Sequence, residues 1–204
     1  MYVARLLYPV KVLGPGNRVG IWFNGCTHFC KGCSNPELWE LQDRYKVSLE
    51  NVIKLIERIT EHHKVDGFTI TGGDPFEQAE DLEKLVNYLS TITQDIIIYS
   101  GYKFDYLNDK HHSILEKIAV LIDGEYIEEK NENCFMKGST NQNIIVLNQS
   151  YKDMYDNYLI NGENEIQNFT TTDGVISVGI HRRGYEQELN DLMNKMGLEE
   201  TNNG

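Results

Sequence analysis

The sequence predicts an α/β protein built as a parallel β-sheet covered by helices. Short β-branched and aromatic runs alternate with segments of helical periodicity over the first 150 residues, and these runs are apolar almost throughout. Such runs are typical of parallel strands that are buried on both faces. The chain has 204 residues, and a complete eight-fold barrel needs roughly 250. We therefore expect a partial (β/α) barrel or an open α/β sheet, with the active site at the carboxyl ends of the strands.

The first half of the chain supplies two units of strand followed by helix. Arg18–Asn24 is a β-branched and aromatic run that ends at a cysteine-rich loop, which predicts a strand. Apolar residues at helical spacing predict a helix over 48–63, with Ser48 as its N-cap. Gly67–Thr71 is the next predicted strand, and it stops at two glycines. A second amphipathic helix is predicted over 79–89.

Three further strands are predicted before residue 150. Asp95–Ser100 is an apolar run typical of a strand buried on both faces. Ile114–Ile118 is predicted as a short helix, and Val120–Ile122 and Asn143–Leu147 as strands. We expect residues 1–150 to form the core domain, because this alternation ends there.

The composition changes after residue 150 to a polar, Asn-rich segment dotted with aromatic residues. Asp173-Gly174 between two β-rich runs, Phe169–Thr172 and Val175–Ile180, predicts a β-hairpin. Glu186–Met196 is predicted as a terminal helix, followed by a frayed tail. We therefore expect residues 151–204 to be a C-terminal appendage of hairpin and helix.

The charge balance argues against several classes of function. Lys and Arg number 19 against 31 Asp and Glu, which gives a net charge of −12. Nucleic-acid binding needs a basic surface, and so does binding to an anionic membrane. No apolar run approaches the roughly 20 residues of a membrane span, and the N-terminus lacks the pattern of a secretory signal. We expect a cytoplasmic protein that binds neither nucleic acid nor membrane.

Three of the four cysteines fall within eight residues, as Cys26, Cys30 and Cys33. Structural zinc sites are usually closed by four protein ligands, whereas three thiolates suit a [4Fe–4S] cluster that keeps one iron open for substrate. Two alternatives stay open on spacing alone. One is zinc with His28 or Cys134 as a fourth ligand, and the other is a set of reduced surface cysteines.

A second motif, Gly72-Gly73-Asp74-Pro75, ends the strand that follows the first predicted helix. Two glycines let the backbone approach a ligand closely. An exposed Asp74 carboxylate or a backbone carbonyl could then receive the amino group of the ligand. The alternative is an ordinary strand-to-helix turn, in which Asp74 caps the helix and Pro75 occupies its first position.

Further motifs agree in order and spacing over residues 5–147. They are Gly14-Pro15-Gly16-x-Arg18, Gly25-Cys26-x-His28-x-Cys30-x-Gly32-Cys33-x-Asn35-x-x-x-Trp39, Gly72-Gly73-Asp74-Pro75, Gly101-Tyr102-Lys103 with Leu107, Asp123-Gly124 and Gly138-Ser139-x-Asn141-Gln142. This series resembles the radical S-adenosylmethionine superfamily. Within it, the chain is similar to the activating proteins of anaerobic ribonucleoside-triphosphate reductases.

The resemblance implies the fold of a partial barrel of the radical S-adenosylmethionine type. It also implies one [4Fe–4S] cluster per chain on Cys26, Cys30 and Cys33, and S-adenosylmethionine as the second cofactor. The implied activity is reductive cleavage of that cofactor and generation of a glycyl radical on a partner reductase. A flavodoxin or ferredoxin would donate the electron.

The resemblance also suggests which residues contact S-adenosylmethionine. Gly72, Gly73 and Asp74 are expected at its methionine end, and the backbone of Gly32, Cys33 and Ser34 close by. From topology we add an adenosine contact at the end of the next strand. Those residues are Ser100, Gly101 and Tyr102.

Two departures from the family pattern bear on the partner. Lys137 stands where the family has an arginine, and residues 151–204 are absent from the shortest members. One alternative is therefore a radical enzyme that acts on another glycyl-radical enzyme, a peptide or a small molecule. Another, of a different class, is a non-catalytic iron–sulfur electron-transfer protein or a zinc scaffold. We expect removal of residues 151–204 to spare cofactor cleavage.

Overall fold

The computed structural model describes residues 1–171 and 174–195. Eight strands and six helices are assigned in this part of the chain, together with single turns of 3₁₀-helix. The strands are β1 Val3–Val10, β2 Arg18–Phe23, β3 Gly67–Gly72, β4 Ile96–Ser100, β5 Val120–Asp123, β6 Asn143–Val146, β7 Ile166–Thr171 and β8 Gly174–Gly179. The helices are α1 Leu49–His62, α2 Ala79–Leu89, α3 Phe104–Lys110, α4 His112–Leu115, α5 Lys152–Asn161 and α6 Tyr185–Lys195.

Six strands form one mixed sheet in the order β1-β2-β3-β4-β5-β6. The four central strands, β2 to β5, run parallel, and β1 and β6 pair antiparallel at the two edges. The prediction of an α/β protein with a parallel sheet is confirmed for these central strands.

The prediction is wrong for the direction of β6, which runs antiparallel to β5. A parallel neighbour would need a crossover connection, usually a helix. Residues 124–142 contain instead a single 3₁₀ turn, Glu128–Lys130. The chain therefore returns beside β5 in the opposite direction.

Helix α1 forms as its sequence predicts. The Ser48 hydroxyl accepts a hydrogen bond from the backbone N–H of Asn51 at 3.2 Å, so one of the free donors at the helix start is satisfied. Val52 and Ile56 lie on the buried face of the helix. Helix α2 buries four residues in the same way, and it follows the 3₁₀ turn Pro75–Gln78.

Three elements were not predicted from the sequence. They are the edge strand β1 and the helices α3 and α5. Helix α3 buries Leu107 alone among its residues, and α5 buries Tyr155 alone. Neither helix therefore carries the apolar stripe by which an amphipathic helix is recognised.

The two faces of the six-stranded sheet are covered differently. On one side, which we call the helical face, α1 to α4 pack on apolar strand residues such as Ile21, Ile70 and Ile98. On the other side, which we call the pocket face, strand residues such as Trp22, Ile97 and Ile122 point away from those helices.

The C-terminal segment, by which we mean the described residues 151–171 and 174–195, covers the pocket face. Tyr155 of α5 is fully buried beside Ile97 and Ile122, and Val178 of β8 packs in the cluster that contains Trp22. The side chain of Gln167 in β7 donates to the carbonyl of Pro9 at 2.7 Å and accepts from the N–H of Lys11 at 2.9 Å. The segment is therefore joined to the sheet by apolar packing and hydrogen bonds.

Strands β7 and β8 pair antiparallel, with Ile166 opposite Gly179 and Thr171 opposite Gly174. Thr172 and Asp173, at which the sequence predicts the turn, lie outside the described residues. So do Met196 of the predicted terminal helix and the predicted frayed tail. No helix in the described ranges combines the length and the hydropathy of a segment that crosses a membrane.

A buried ion pair lies on the pocket face at the amino end of β2. Arg18 is fully buried and contacts the Asp95 carboxylate with both terminal nitrogens, at 2.9 and 3.1 Å. Its Nε donates to the hydroxyl of Thr69 at 2.8 Å. The hydroxyl of Tyr155 donates to the same carboxylate. The C-terminal segment thus supplies one of the donors of this network.

Candidate functional site

A pocket opens where the loops after β2, β3, β4 and β5 meet on the pocket face. The sequence-predicted site residues that line it together are Cys26, Cys30, Cys33, Ser34, Gly72, Gly73, Asp74, Ser100 and Gly101. Two others lie beside it. Gly32 borders a neighbouring cleft, and Tyr102 stacks on Tyr106 and donates its hydroxyl hydrogen bond to Glu77. The topology therefore brings most of the predicted residues to one place.

The cysteine loop is fixed by backbone hydrogen bonds to the segment that follows it. Gly25 N–H donates to the carbonyl of Leu38 at 2.8 Å, and Cys26 N–H to that of Trp39 at 2.9 Å. Within the loop, Cys33 N–H donates to the carbonyl of Cys30 at 3.1 Å. All three cysteines are half-buried. The loop is thus held by its own backbone and by the segment that follows it.

Burial shifts the pKa values of two of the three thiols. Burial raises the pKa of Cys26 to about 11. The backbone N–H groups of His28 and Phe29, which hydrogen-bond the sulfur, act in the opposite direction and lower this pKa. Burial also raises the pKa of Cys30. A bound metal cation opposes these shifts, because a coordinating thiol is deprotonated outright. Asn35 N–H donates to the sulfur of Cys33 at 3.4 Å, a type of bond that tunes iron–sulfur clusters.

The three thiols are donors of the chemical type that iron–sulfur clusters use. Within the described ranges, no group of three or more His, Cys, Asp or Glu side chains is placed to hold a single metal ion. A [4Fe–4S] cluster does not require its ligands to meet at one ion, because each thiolate binds a different iron. Cys134 is not among the residues that line this pocket.

The glycine turn packs backbone to backbone against the cysteine loop. Gly73 N–H donates to the carbonyl of Phe23 at 2.8 Å, and Asp74 N–H donates to that of Gly25 at 2.9 Å. A side chain at Gly73 would collide with the Gly25 carbonyl oxygen. Gly72 has a φ of +114°, which L-residues with side chains rarely adopt. Both glycines are therefore required by the contact between the two motifs.

The Asp74 carboxylate is buried, with 1% of the residue exposed. It accepts hydrogen bonds from Phe76 N–H at 3.0 Å, from Gly101 N–H at 2.7 Å and from the Ser100 hydroxyl at 3.0 Å. The bond from Phe76 is the cap of the following turn. The carboxylate is therefore held by the protein's own donors, as the alternative of a helix-capping Asp74 predicts.

His28 joins three loops of the site, which sequence reasoning did not anticipate. Its Nε2 lies 3.1 Å from Asp74 Oδ2, and its Nδ1 lies 3.1 Å from Glu125 Oε1. The ring of Tyr102 packs edge-on at 4.6 Å. The hydrogen bond to Asp74 raises the pKa of His28, with Glu125 acting in the same direction. No local pattern could have indicated carboxylate partners 46 and 97 residues away.

One wall of the pocket comes from the C-terminal segment. Residues 177–181, the end of β8 and the two residues after it, line the pocket together with the cysteine loop. The expectation that residues 151–204 are an appendage does not account for this placement. The physical reason is that the pocket face of the core carries large side chains such as Trp22 and Tyr99, which β8 covers.

Comparison with known proteins places this site in a family. The family model described as a 4Fe-4S single cluster domain matches residues 12–145. The anaerobic ribonucleoside-triphosphate reductase-activating protein of Vibrio cholerae is 34% identical over 144 residues, covering 67% of this chain and 93% of the relative. The protein of the same name from Salmonella typhimurium is 33% identical over 143 residues, covering 66% of this chain and 92% of the relative. The chain belongs to the anaerobic ribonucleoside-triphosphate reductase-activating protein family.

The C-terminal wall lies beyond the part of the chain that the family model matches, because the model ends at residue 145. Among solved structures, the crystal structure of QueE from Escherichia coli matches with a TM-score of 0.43 and 16% identity, covering 60% of this chain and 70% of that chain. A similarity at this level supports no conclusion about the chemistry of the site.

Proposed function

We propose that this chain is a radical S-adenosylmethionine enzyme that generates a glycyl radical on a partner protein, an anaerobic ribonucleoside-triphosphate reductase. It would hold one [4Fe–4S] cluster on Cys26, Cys30 and Cys33 and receive its electron from a flavodoxin or ferredoxin. The observation that carries the proposal is the pocket in which these three cysteines face the Gly72-Gly73-Asp74 turn. The reductase as partner follows from the names of the relatives.

The proposal assigns a task to each part of the pocket. When bound, the cluster and S-adenosylmethionine supply one-electron radical chemistry that amino-acid side chains lack. Cys26, Cys30 and Cys33 bind the cluster, and the N–H groups that hydrogen-bond their sulfurs tune it. The backbone of Gly72 and Gly73 admits the methionine end of the cofactor.

The remaining walls keep water from the reacting groups. Trp22, Tyr99 and Val178 form an apolar side of the pocket, and a dry site protects reactive species from side reactions. We also propose that β2 to β5 are the strands of a partial barrel whose inner side is the pocket face. The position of the pocket at the carboxyl ends of these parallel strands supports this assignment.

The wall formed by the C-terminal segment favours a second candidate function. Residues 177–181 line one side of the pocket and lie beyond residue 145, where the family model ends. A target smaller than the reductase, such as a peptide or a small molecule, would fit a pocket narrowed in this way. The cofactor chemistry is the same in both candidates.

The first experiment is anaerobic reconstitution with iron and sulfide, followed by reduction and addition of S-adenosylmethionine. We expect a paramagnetic cluster signal that shifts on cofactor binding, together with formation of 5′-deoxyadenosine. Cys30→Ala should lose the cluster and all cofactor cleavage, whereas Cys134→Ala, the matched control, should keep both. Full cleavage by the Cys30→Ala protein would refute the proposal.

A second experiment distinguishes the two targets. Addition of the anaerobic reductase from the same organism should produce a glycyl radical signal in the reductase if it is the partner. Cofactor cleavage without any radical on the reductase would favour the smaller target.

A further inference from the structure

His181 of the C-terminal segment lies at the edge of the cofactor pocket. Two residues after the end of β8, it lines both this pocket and the neighbouring cleft that contains Gly32, Ser34 and Tyr126. Its carbonyl accepts a hydrogen bond from the side chain of Asn131 at 3.0 Å. Its ring stacks on that of Tyr185 with centroids 4.4 Å apart. Backbone and ring are therefore both fixed in position beside the cysteine loop.

The imidazole nitrogens of His181 are buried and, within the described residues, have no hydrogen-bond partner. The same is true of Nε1 of Trp39, which lines the same pocket. Buried polar groups are nearly always hydrogen-bonded in folded proteins. Unpartnered donors and acceptors that gather at the wall of one pocket point to a polar ligand in it.

The protonation state of His181 determines which ligand groups its ring nitrogens can hydrogen-bond. Burial lowers the pKa of this imidazole, so the ring is neutral at pH 7 and offers one N–H donor and one acceptor nitrogen. A ribose hydroxyl or the edge of an adenine ring can pair with either nitrogen, whereas a carboxylate can pair only with the N–H and an ammonium group only with the acceptor nitrogen.

We propose that His181 is a cofactor-binding residue supplied by the C-terminal segment, which hydrogen-bonds the nucleoside portion of S-adenosylmethionine. This inference rests on the proposed function. The position of His181 agrees with it, because His181 lines the same pocket as Ser100 and Gly101, the predicted adenosine contacts.

The test is equilibrium binding to the anaerobically reconstituted full-length protein. The probes are S-adenosylhomocysteine and 5′-deoxyadenosine, which share the nucleoside, and methionine, which lacks it. His181→Phe keeps an aromatic ring but loses both nitrogens, and we expect it to weaken binding of the two nucleoside ligands about tenfold. Methionine binding, the iron content and the cluster absorption should not change.

Two further variants test whether the loss of nucleoside binding comes from the His181 nitrogens. His181→Gln restores one donor and one acceptor, and we expect it to bind within about threefold of the native protein. His62→Phe, at an exposed position at the end of α1, is the matched control and should bind normally. If His181→Phe does not fold, His181→Ala replaces it in the same comparison with His181→Gln.

The possible outcomes separate this inference from the proposed function. Native-like nucleoside binding by His181→Phe would show that His181 only packs the wall, while leaving the proposed function intact. Equal weakening of methionine and nucleoside binding would also overturn the nucleoside assignment. A native protein that holds its cluster but binds no probe would refute both proposals.

Discussion

The two faces of the sheet carry different kinds of residue for different tasks. The helical face carries a cluster of buried apolar side chains, and α1 to α4 cover it. The pocket face combines apolar residues with a buried ion pair, Arg18 and Asp95, and with polar side chains such as Thr69. It is covered by the C-terminal segment and opens into the cysteine pocket. One face thus supplies stability, while the other combines stability with a site.

The two faces of the sheet also differ in which part of the chain covers them. A face made of interlocking apolar side chains is sensitive to any change of volume. The pocket face is instead completed by residues beyond the family core, among them Tyr155, Val178 and His181. The cover of the pocket face is therefore the part of this chain that lies beyond the family model.

The largest effect is expected where the pocket face buries charge. Asp95→Asn removes the countercharge of a fully buried Arg18 and should reduce the free energy of unfolding by about 3–5 kcal/mol. Urea unfolding of the anaerobic protein, followed by circular dichroism, measures this. Asp109→Asn, at an exposed position, is the control. A loss below about 1 kcal/mol would mean that the carbonyl acceptors of Arg18 suffice without a charge.

The helical face should respond to loss of volume. Ile98→Ala leaves a cavity in a cluster where Ile98 is fully buried, and we expect a loss of about 3 kcal/mol in unfolding free energy. Cluster content and cofactor binding of the folded variant should stay normal. Ile160→Ala, at a residue that is 80% exposed, should change stability by less than about 0.5 kcal/mol. Loss of cofactor binding in folded Ile98→Ala would contradict the view that the helical face contributes only to stability.

A smaller effect is expected at the link between the core and the C-terminal segment. Tyr155→Phe removes one hydrogen bond to the Asp95 carboxylate, while Arg18 still pairs with that carboxylate. We expect a loss of about 1.5 kcal/mol, measured in the same urea experiment. Tyr106→Phe, which removes an exposed hydroxyl, should leave stability unchanged. An equal loss in both variants would argue against a specific role for the Tyr155 bond.

Regular patterns in the sequence were sufficient for much of the core. The apolar runs at β2 to β5 and the helical spacing in α1 and α2 are local signals, and the structure contains these elements. Helices α3 and α5 escaped prediction because each buries a single residue. Strand β6 runs antiparallel to β5 because no crossover helix lies between them. The lack of helical periodicity in residues 124–142 could have indicated this direction.

The candidate site could be predicted as far as its motifs extend. Cys26, Cys30 and Cys33 were predicted from their spacing, and the Gly72-Gly73-Asp74 turn from its motif and the family resemblance. The structure brings both to one pocket, because parallel strands place their carboxyl ends at the same edge of the sheet. The pairing of His28 with Glu125 and the approach of His181 join residues far apart in sequence. Such contacts depend on tertiary packing, which leaves no trace in local spacing.

The wall of the pocket formed by residues 177–181 is synthesised late. Because the ribosome makes the chain from its N-terminus, β1 to β6 are all complete before residues 177–181 exist. The cysteine loop and the glycine turn are therefore present on the nascent chain while the pocket still lacks this wall. The wall that covers this side of the pocket is thus made after the cysteine loop and the glycine turn.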